Sequence, residues 1–175
     1  MQTITDEYRA LNRALHIQRP DFGCGGEKWA ATVMQLCSRF ETNDVLDYGC
    51  GKALLSDAMP FPIQNYDPAI DGYAARPLPA DIVGSTDGLE HGEPQHLDAA
   101  LSDIQQLTRE VVLLHISTEL ASKELPDGRN AHLIVRPAQW WLERLMALFD
   151  VLEFKSDPCV LVGRPRASGG LILGG

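Results

Sequence analysis

Ile4, Tyr8, Leu11 and Leu15 recur every three or four residues, as do Trp29, Val33, Leu36 and Phe40, so the pattern predicts two amphipathic helices ahead of the first strand. The cluster Arg19-Pro20-Asp21-Phe22-Gly23-Cys24-Gly25-Gly26 separates them, because Pro and Gly interrupt regular structure. The pattern then changes. Val45-Leu46-Asp47-Tyr48 has the length of a buried strand and ends in glycines, and Ala53 to Met59 reads as a brief helix stopped by Pro60 and Pro62. Ile63 to Asp67 and Asp81 to Thr86 read as the second and third strands. Between them, the proline-rich Pro68 to Ala80 is too broken for a full crossover helix. Leu97, Leu101, Ile104 and Leu107 form a helical stripe, Val111 to Ile116 a buried strand, and Trp141, Leu145 and Leu148 a further helix opened by Pro137. Val151 to Phe154 and Cys159 to Val162 close the chain as a hairpin around Ser156-Asp157-Pro158.

Strands alternating with helices predict an α/β fold: a doubly wound, mostly parallel sheet with helices on both faces, shortened after the second strand and ending in an antiparallel hairpin. Ligands in such sheets bind beyond the carboxyl ends of the strands. The expected organisation is one domain, with helices in 1–42, the α/β core in 43–165 and a flexible tail in 166–175 that carries Ser168-Gly169-Gly170 and Gly174-Gly175.

Composition narrows the partners. The 175 residues, 45% hydrophobic and 22% charged, suffice for one core, and the net charge of −9 argues against extended binding to a nucleic-acid backbone, which draws its affinity from Lys and Arg. The most apolar stretch, Val111 to Ile116, is far short of the roughly 20 residues that cross a bilayer. Cys24, Cys37, Cys50 and Cys159 include no C-x-x-C pair, and Met1 to Glu7 lacks the basic and apolar regions of a signal peptide, so a cytoplasmic location is expected. A homodimer is left open.

The chemistry centres on Asp47-Tyr48-Gly49-Cys50-Gly51-Lys52-Ala53. Glycines at a strand end bring the backbone close to a ligand, and the following helix offers unpaired N–H groups. A dinucleotide fingerprint counted from Gly49 ends on Leu54 where a small residue is required, and no phosphate-loop G-x-x-x-x-G-K-[ST] occurs. The plain alternative is that Asp47 caps the helix and the glycines make a tight turn.

The stretch resembles the first motif of class I, Rossmann-like S-adenosylmethionine-dependent methyltransferases, D-x-G-x-G-x-G, with Ala53 at the position of the last glycine. The resemblance extends to Asp67, which ends the second strand 20 residues after Asp47, and to Thr86-Asp87-Gly88-Leu89-Glu90-His91 after the third; it spans Gly23 to Val162. It implies that Asp47 helps hold the methionine amino end, that Asp67 binds the ribose hydroxyls, and that Tyr48, Gly49, Cys50, Gly51, Pro68, Thr86, Asp87 and Gly88 surround the cofactor. The implied reaction is methyl transfer to O or N of a small-molecule or nucleotide-like acceptor, with S-adenosylhomocysteine as product. The alternatives are a catalytically silent cofactor-binding partner, or transfer of another part of the cofactor such as its aminocarboxypropyl group.

Around that motif, Lys28 in Gly23 to Trp29 is expected to bind the cofactor carboxylate, or else to be a solvated side chain on a linker. His91 and His132 are the catalytic candidates, as general bases or as orienting donors, against the reading of a packing His and an ordinary loop His. Asp87, Glu90, His91 and His132 loosely resemble the metal-binding set of small-RNA 2′-O-methyltransferases, but Asp stands in place of the first Glu, and no metal is expected. His115, within an apolar strand, reads as a core residue. Trp140 and Trp141 are candidates for an acceptor pocket or for the core, and Tyr73 and Arg76 for an adenine cover or a surface loop. No [DNS]-P-P-[YFW] tetrapeptide occurs, and the Pro158-Cys159 pair sits in the terminal hairpin, so the DNA-base methyltransferase signatures are missing.

Overall fold

The computed structural model describes residues 2–167. Helix α1 (Asp6–Gln18) starts at Thr5, whose hydroxyl accepts a hydrogen bond from the Tyr8 N–H at 3.1 Å, with Asp6 and Glu7 in the first turn where the helix dipole favours them. Ile4 thus precedes the helix that its spacing assigned it to. After the breaker cluster, a 3-10 turn (Gly26–Trp29) leads into α2 (Ala30–Phe40), whose Val33, Leu36 and Cys37 are buried. Strand β1 (Val45–Tyr48), the short α3 (Leu54–Ala58) and β2 (Gln64–Tyr66) follow. The chain then reaches β3 (Ala80–Thr86) without a helix, as the prolines dictate. Helix α4 (Leu97–Leu107), β4 (Thr108–Ile116), α5 (Ala138–Leu145), β5 (Phe149–Ser156) and β6 (Cys159–Pro165) complete it. The expected tail falls outside the described residues from position 168 on.

The six strands form one sheet in the order β2-β1-β3-β4-β6-β5. β2, β1, β3 and β4 pair in parallel, and β6 runs antiparallel to both β4 and β5. Strand alternation divides the side chains between two cores. Val112, Leu114 and Ile116 pack with Leu101, Ile104, Trp141 and Leu145 from α4 and α5, whereas Val111 and Leu113 pack with Val33, Leu36 and Leu55 from α2 and α3. Both faces are therefore covered, and β4 reads as a continuous apolar run for that reason.

A third cluster is separate. Ile4, Tyr8, Leu15 and Phe22 from the amino-terminal segment pack with Leu125 and Ala131 from the loop after β4. Together they form a cap with a small core of its own over one end of the sheet. Thr5 ties the cap down, because its N–H and hydroxyl both donate to the Glu93 carboxylate, at 2.7 and 2.9 Å. The Tyr8 hydroxyl adds a hydrogen bond to the His91 carbonyl.

Candidate active site

From β1 the chain moves to β2 on one side, and from β3 to β4 on the other, so the carboxyl ends of β1 and β3 flank the point where the winding reverses. A cavity of about 520 Å³ lies there, between the strand ends and the cap, within the size range of small-molecule sites. Lys28, Tyr48, Gly49, Gly51, Asp67, Pro68, Asp87, Gly88, His91 and His132, all singled out from the sequence, line it. Asp47, Cys50 and Thr86 are not among its lining residues. Alternation turns Asp47 toward the face that carries Val45, so it is buried behind the glycine turn and does not line the cavity.

The glycine turn differs from its sequence expectation in one respect. Gly49 and Cys50 both donate their N–H to the Tyr66 carbonyl, Lys52 to the Gly23 carbonyl and Ala53 to the Cys50 carbonyl, while the Gly51 N–H donates to Asp67 Oδ2 at 3.1 Å. All five consecutive N–H groups are engaged inside the protein. The turn offers a ligand a wall without side chains and with no free donors, which suits a cation and not a pyrophosphate. Gly51 is glycine for a second reason. Its φ is +53°, and a Cβ there would stand 2.7 Å from the Gly23 carbonyl oxygen, because the Arg19 to Gly23 loop lies against the turn. Lys52 holds that loop, donating to the carbonyls of Arg19, Pro20 and Phe22 at 3.0, 2.6 and 2.9 Å. Ala53 adopts the left-handed region at φ +59°, which explains why glycine suits this position of the motif.

Two carboxylates frame the turn. Asp67 is buried, and its Oδ1 accepts from the Ala69 N–H at 2.9 Å as Oδ2 does from Gly51; burial raises its pKa and the two N–H donors oppose the rise. Each oxygen keeps a further lone pair for a ligand hydroxyl. Asp47 is pushed up to about 7, first by burial and then by the neighbouring Asp67 charge. Across the turn, Asp87 takes a left-handed φ of +56° at the end of β3. Burial favours its neutral form, but His115 Nδ1 at 2.8 Å and Lys28 Nζ at 2.9 Å hold its pKa down to about 2. His115, read from the sequence as a core residue, is largely covered in β4 but stands next to Asp87. Its Nδ1 stands close to Asp87 Oδ1 without the alignment of a hydrogen bond, and the ring of Trp29, 4.7 Å away, covers it.

On the far side, the His91 Nδ1 lies 2.8 Å from the Ala131 carbonyl and the His132 Nδ1 2.6 Å from the Glu119 carbonyl. A carbonyl only accepts, so both rings carry a proton on Nδ1, and in His91, which burial keeps neutral, Nε2 is left bare. Burial first, and the adjacent His132 second, lower the His91 pKa to about 4. Glu90, next to His91, is wholly buried: Oε1 accepts from the Ser117 N–H at 2.7 Å, Oε2 has no partner, and burial raises its pKa to about 8. Asp87, Glu90, His91 and His132 thus have separate partners, and among the described residues no three His, Cys, Asp or Glu side chains stand together as a metal-ligand set.

Other candidates stand elsewhere. Trp141 is fully buried in the core, while Trp140 lies under the Arg144 guanidinium, 4.4 Å from its ring, and neither lines the cavity. Arg76 pairs with Asp103 at 2.8 Å, and Tyr73 accepts the Asp67 N–H on its carbonyl, so that loop braces the site from outside. Sequence reading missed Asn12 and His16. Both line the cavity from α1, one and two turns beyond Tyr8, and the Tyr8-Asn12-His16 spacing of four residues was the available signal.

No family model matches the chain, and no curated protein matches it in sequence. Solved structures do match. The chain is similar to the 1,6-didemethyltoxoflavin-N1-methyltransferase of Burkholderia thailandensis, solved with 1,6-didemethyltoxoflavin and S-adenosylhomocysteine, at 15% identity over 92% of this chain and 90% of that one, with a TM-score of 0.63. It is similar to the sugar N-methyltransferase KedS8 of a Streptoalloteichus species, at 14% identity over 89% and 93% of the two chains, TM-score 0.57. A third is DhpI in complex with S-adenosylhomocysteine, at 18% identity over 90% and 95%, TM-score 0.55. At these identities the likeness establishes the fold, which is the Rossmann-like fold of class I methyltransferases.

Proposed function

We propose that the chain binds S-adenosylmethionine and transfers its methyl group to an oxygen or nitrogen of a small-molecule or nucleotide-like acceptor. The observation that carries this reading is the glycine turn with its five engaged N–H groups, set between Asp67 and Asp87. Such a wall repels a phosphate and favours a ligand that carries cationic charge and hydroxyl donors. The similar structures solved with S-adenosylhomocysteine support the same reading.

Asp67 accepts the two ribose hydroxyls on its remaining lone pairs. Ala69, Leu89, Leu97 and Ala100 supply apolar wall for a purine. Lys28, oriented by Asp87, keeps N–H donors for the carboxylate of the methionine part, and Asp47 adds negative potential behind the turn. Bound there, the cofactor supplies a methyl group on a sulfonium sulfur, activated for displacement by an acceptor lone pair. The cap excludes water and holds the acceptor in line, and His91 Nε2 accepts the proton that the acceptor sheds. The chemistry asked of these side chains is positioning and proton acceptance. The four free cysteines support a reducing, cytoplasmic setting.

Replacing Asp67 by Ala tests the assignment. Two charge-assisted hydrogen bonds of about 1.5–3 kcal/mol each predict a loss in cofactor affinity of a hundredfold or more. Calorimetry showing affinity unchanged in Asp67→Ala removes Asp67 from the site. Turnover by the isolated chain excludes a silent partner, and the sulfur product, S-adenosylhomocysteine or methylthioadenosine, tells methyl from aminocarboxypropyl transfer.

A further inference from the structure

Asp103 lies on α4 between the core residues Leu101 and Ile104, yet it is a carboxylate and only 7% exposed. A buried charge loses its hydration, so an apolar side chain there would cost the fold less unless the charge serves its neighbours. Each oxygen has a partner. Oδ2 accepts from the Tyr48 hydroxyl at 3.0 Å, and Oδ1 pairs with the Arg76 guanidinium at 2.8 Å. Burial first, and the Asp103 charge second, push the Tyr48 pKa up, so the phenol keeps its proton and remains a donor.

The two partners belong to the two halves of the candidate cofactor site. Tyr48 ends β1, immediately before the glycine turn, and lines the cavity. Its ring packs on that of Tyr66, the last residue of β2 and the one before Asp67, with centroids 5.0 Å apart. Arg76 belongs to the segment 68–79, where the prolines leave no crossover helix. That segment is tied to Asp67 by the Tyr73 carbonyl, which accepts the Asp67 N–H at 3.0 Å. Two ion pairs join it to helices: Asp71 with Arg13 of α1, both well exposed, and Arg76 with Asp103 of α4. A pair between exposed groups contributes little, whereas Arg76 grips a carboxylate that is buried.

We propose that Asp103 and Arg76 are positioning residues for the cofactor: the Tyr48–Asp103–Arg76 bridge fixes the segment after β2 against the glycine turn and so holds Asp67 where its remaining lone pairs meet the ribose hydroxyls. The inference rests on the cofactor reading and adds the residues that set its geometry. Neither Asp103 nor Arg76 lines the cavity, so both act through Asp67 and Tyr48. Without Arg76, the Asp103 carboxylate keeps Tyr48 alone, and the segment is joined to the helices only by its exposed pair with Arg13. Asp67 then loses the alignment that two directional hydrogen bonds require.

The test is calorimetry with S-adenosylhomocysteine on the full chain, with substitutions at Arg76, whose side chain is 62% exposed and is therefore replaceable without opening the core. Arg76→Gln is expected to weaken binding at least fivefold, and Arg76→Lys, which keeps the charge, to stay within twofold of wild type. Arg76→Gln is then combined with Asp67→Asn, where the hydrogen bonds it would align are already impaired, and the further loss is expected to be under twofold. A brace that merely supports the fold predicts the same loss in both backgrounds, since residues that do not act through one another are additive. Unchanged affinity in Arg76→Gln, equal losses in the Gln and Lys variants, or equal losses in the two backgrounds overturns the proposal. Failure of the wild type to bind S-adenosylhomocysteine removes the cofactor reading itself, whereas binding that ignores Arg76 removes this inference alone.

Discussion

Glu90 carries a pH signature that follows from its burial. Its carboxyl is wholly buried with one oxygen unpartnered, and its pKa rises from 4.5 to about 8 on burial. The folded state holds this proton more tightly than the unfolded one. Its contribution to stability is therefore fully present below pH 4.5 and is lost as pH climbs through about 8. Glu90→Gln keeps the acceptor for the Ser117 N–H and removes the titration. Thermal melts are expected to show the variant more stable than wild type at pH 8.5, with the gap closing by pH 5.5; a gap of equal size at both pH values contradicts the assignment. Sequence reading found Glu90 beside His91 but not its burial, because nothing in the local pattern says that Ser117 and the 131–134 segment fold over it. Asp67, Gly49 and Gly51 were legible, since their spacing reflects a strand end and a turn. Asn12 and His16 were not read, as their stripe is polar and interleaves with the apolar one that defined α1.

Among the elements, the glycine turn makes the most specific demand on backbone shape. Gly51 and Gly49 both have positive φ, but their surroundings differ: a Cβ on Gly51 meets Gly23 backbone at 2.7 Å, whereas one on Gly49 meets nothing closer than Gly88 Cα at 3.8 Å. Gly51→Ala must push the Arg19 to Gly23 loop away and is expected to destabilise the fold by about 2 kcal/mol or more. Gly49→Ala carries the left-handed strain alone, about 1 kcal/mol, yet places a methyl group at the cavity wall and is expected to weaken cofactor binding at least tenfold. Denaturant melts and calorimetry on the two variants separate these effects, and the reverse order of the two stability losses contradicts the packing of the loop on the turn. The strands and α-helices were legible from the helical period of α1, α2 and α4 and, in β4, from a continuous apolar run of strand length. Ends were less so. The helix around Trp29 opens with a 3-10 turn, and β2 shrinks to three residues at the sheet edge, where one side lacks a partner.

At the scale of the whole molecule, the chain is a doubly covered sheet with a separate cap, and the candidate site is the space between them. Pattern and spacing foretold the sheet, its shortened crossover and the closing hairpin, since each follows from local sequence. The cap was not foretold: it joins α1 and Phe22 to Leu125 and Ala131, residues brought together only after the sheet has formed. No helix of the described residues is long and apolar enough to cross a membrane, and the net charge of −9 fits a site that favours cationic over anionic ligands. The buried Asp47, whose pKa stands at about 7, makes that preference dependent on pH, because a bound cation favours its ionised form. The most direct measurement is calorimetric titration of the intact chain with S-adenosylhomocysteine at pH 6 and pH 8. Binding at one site, tighter at pH 8, is expected; the absence of binding at both values would contradict a cofactor site at the glycine turn.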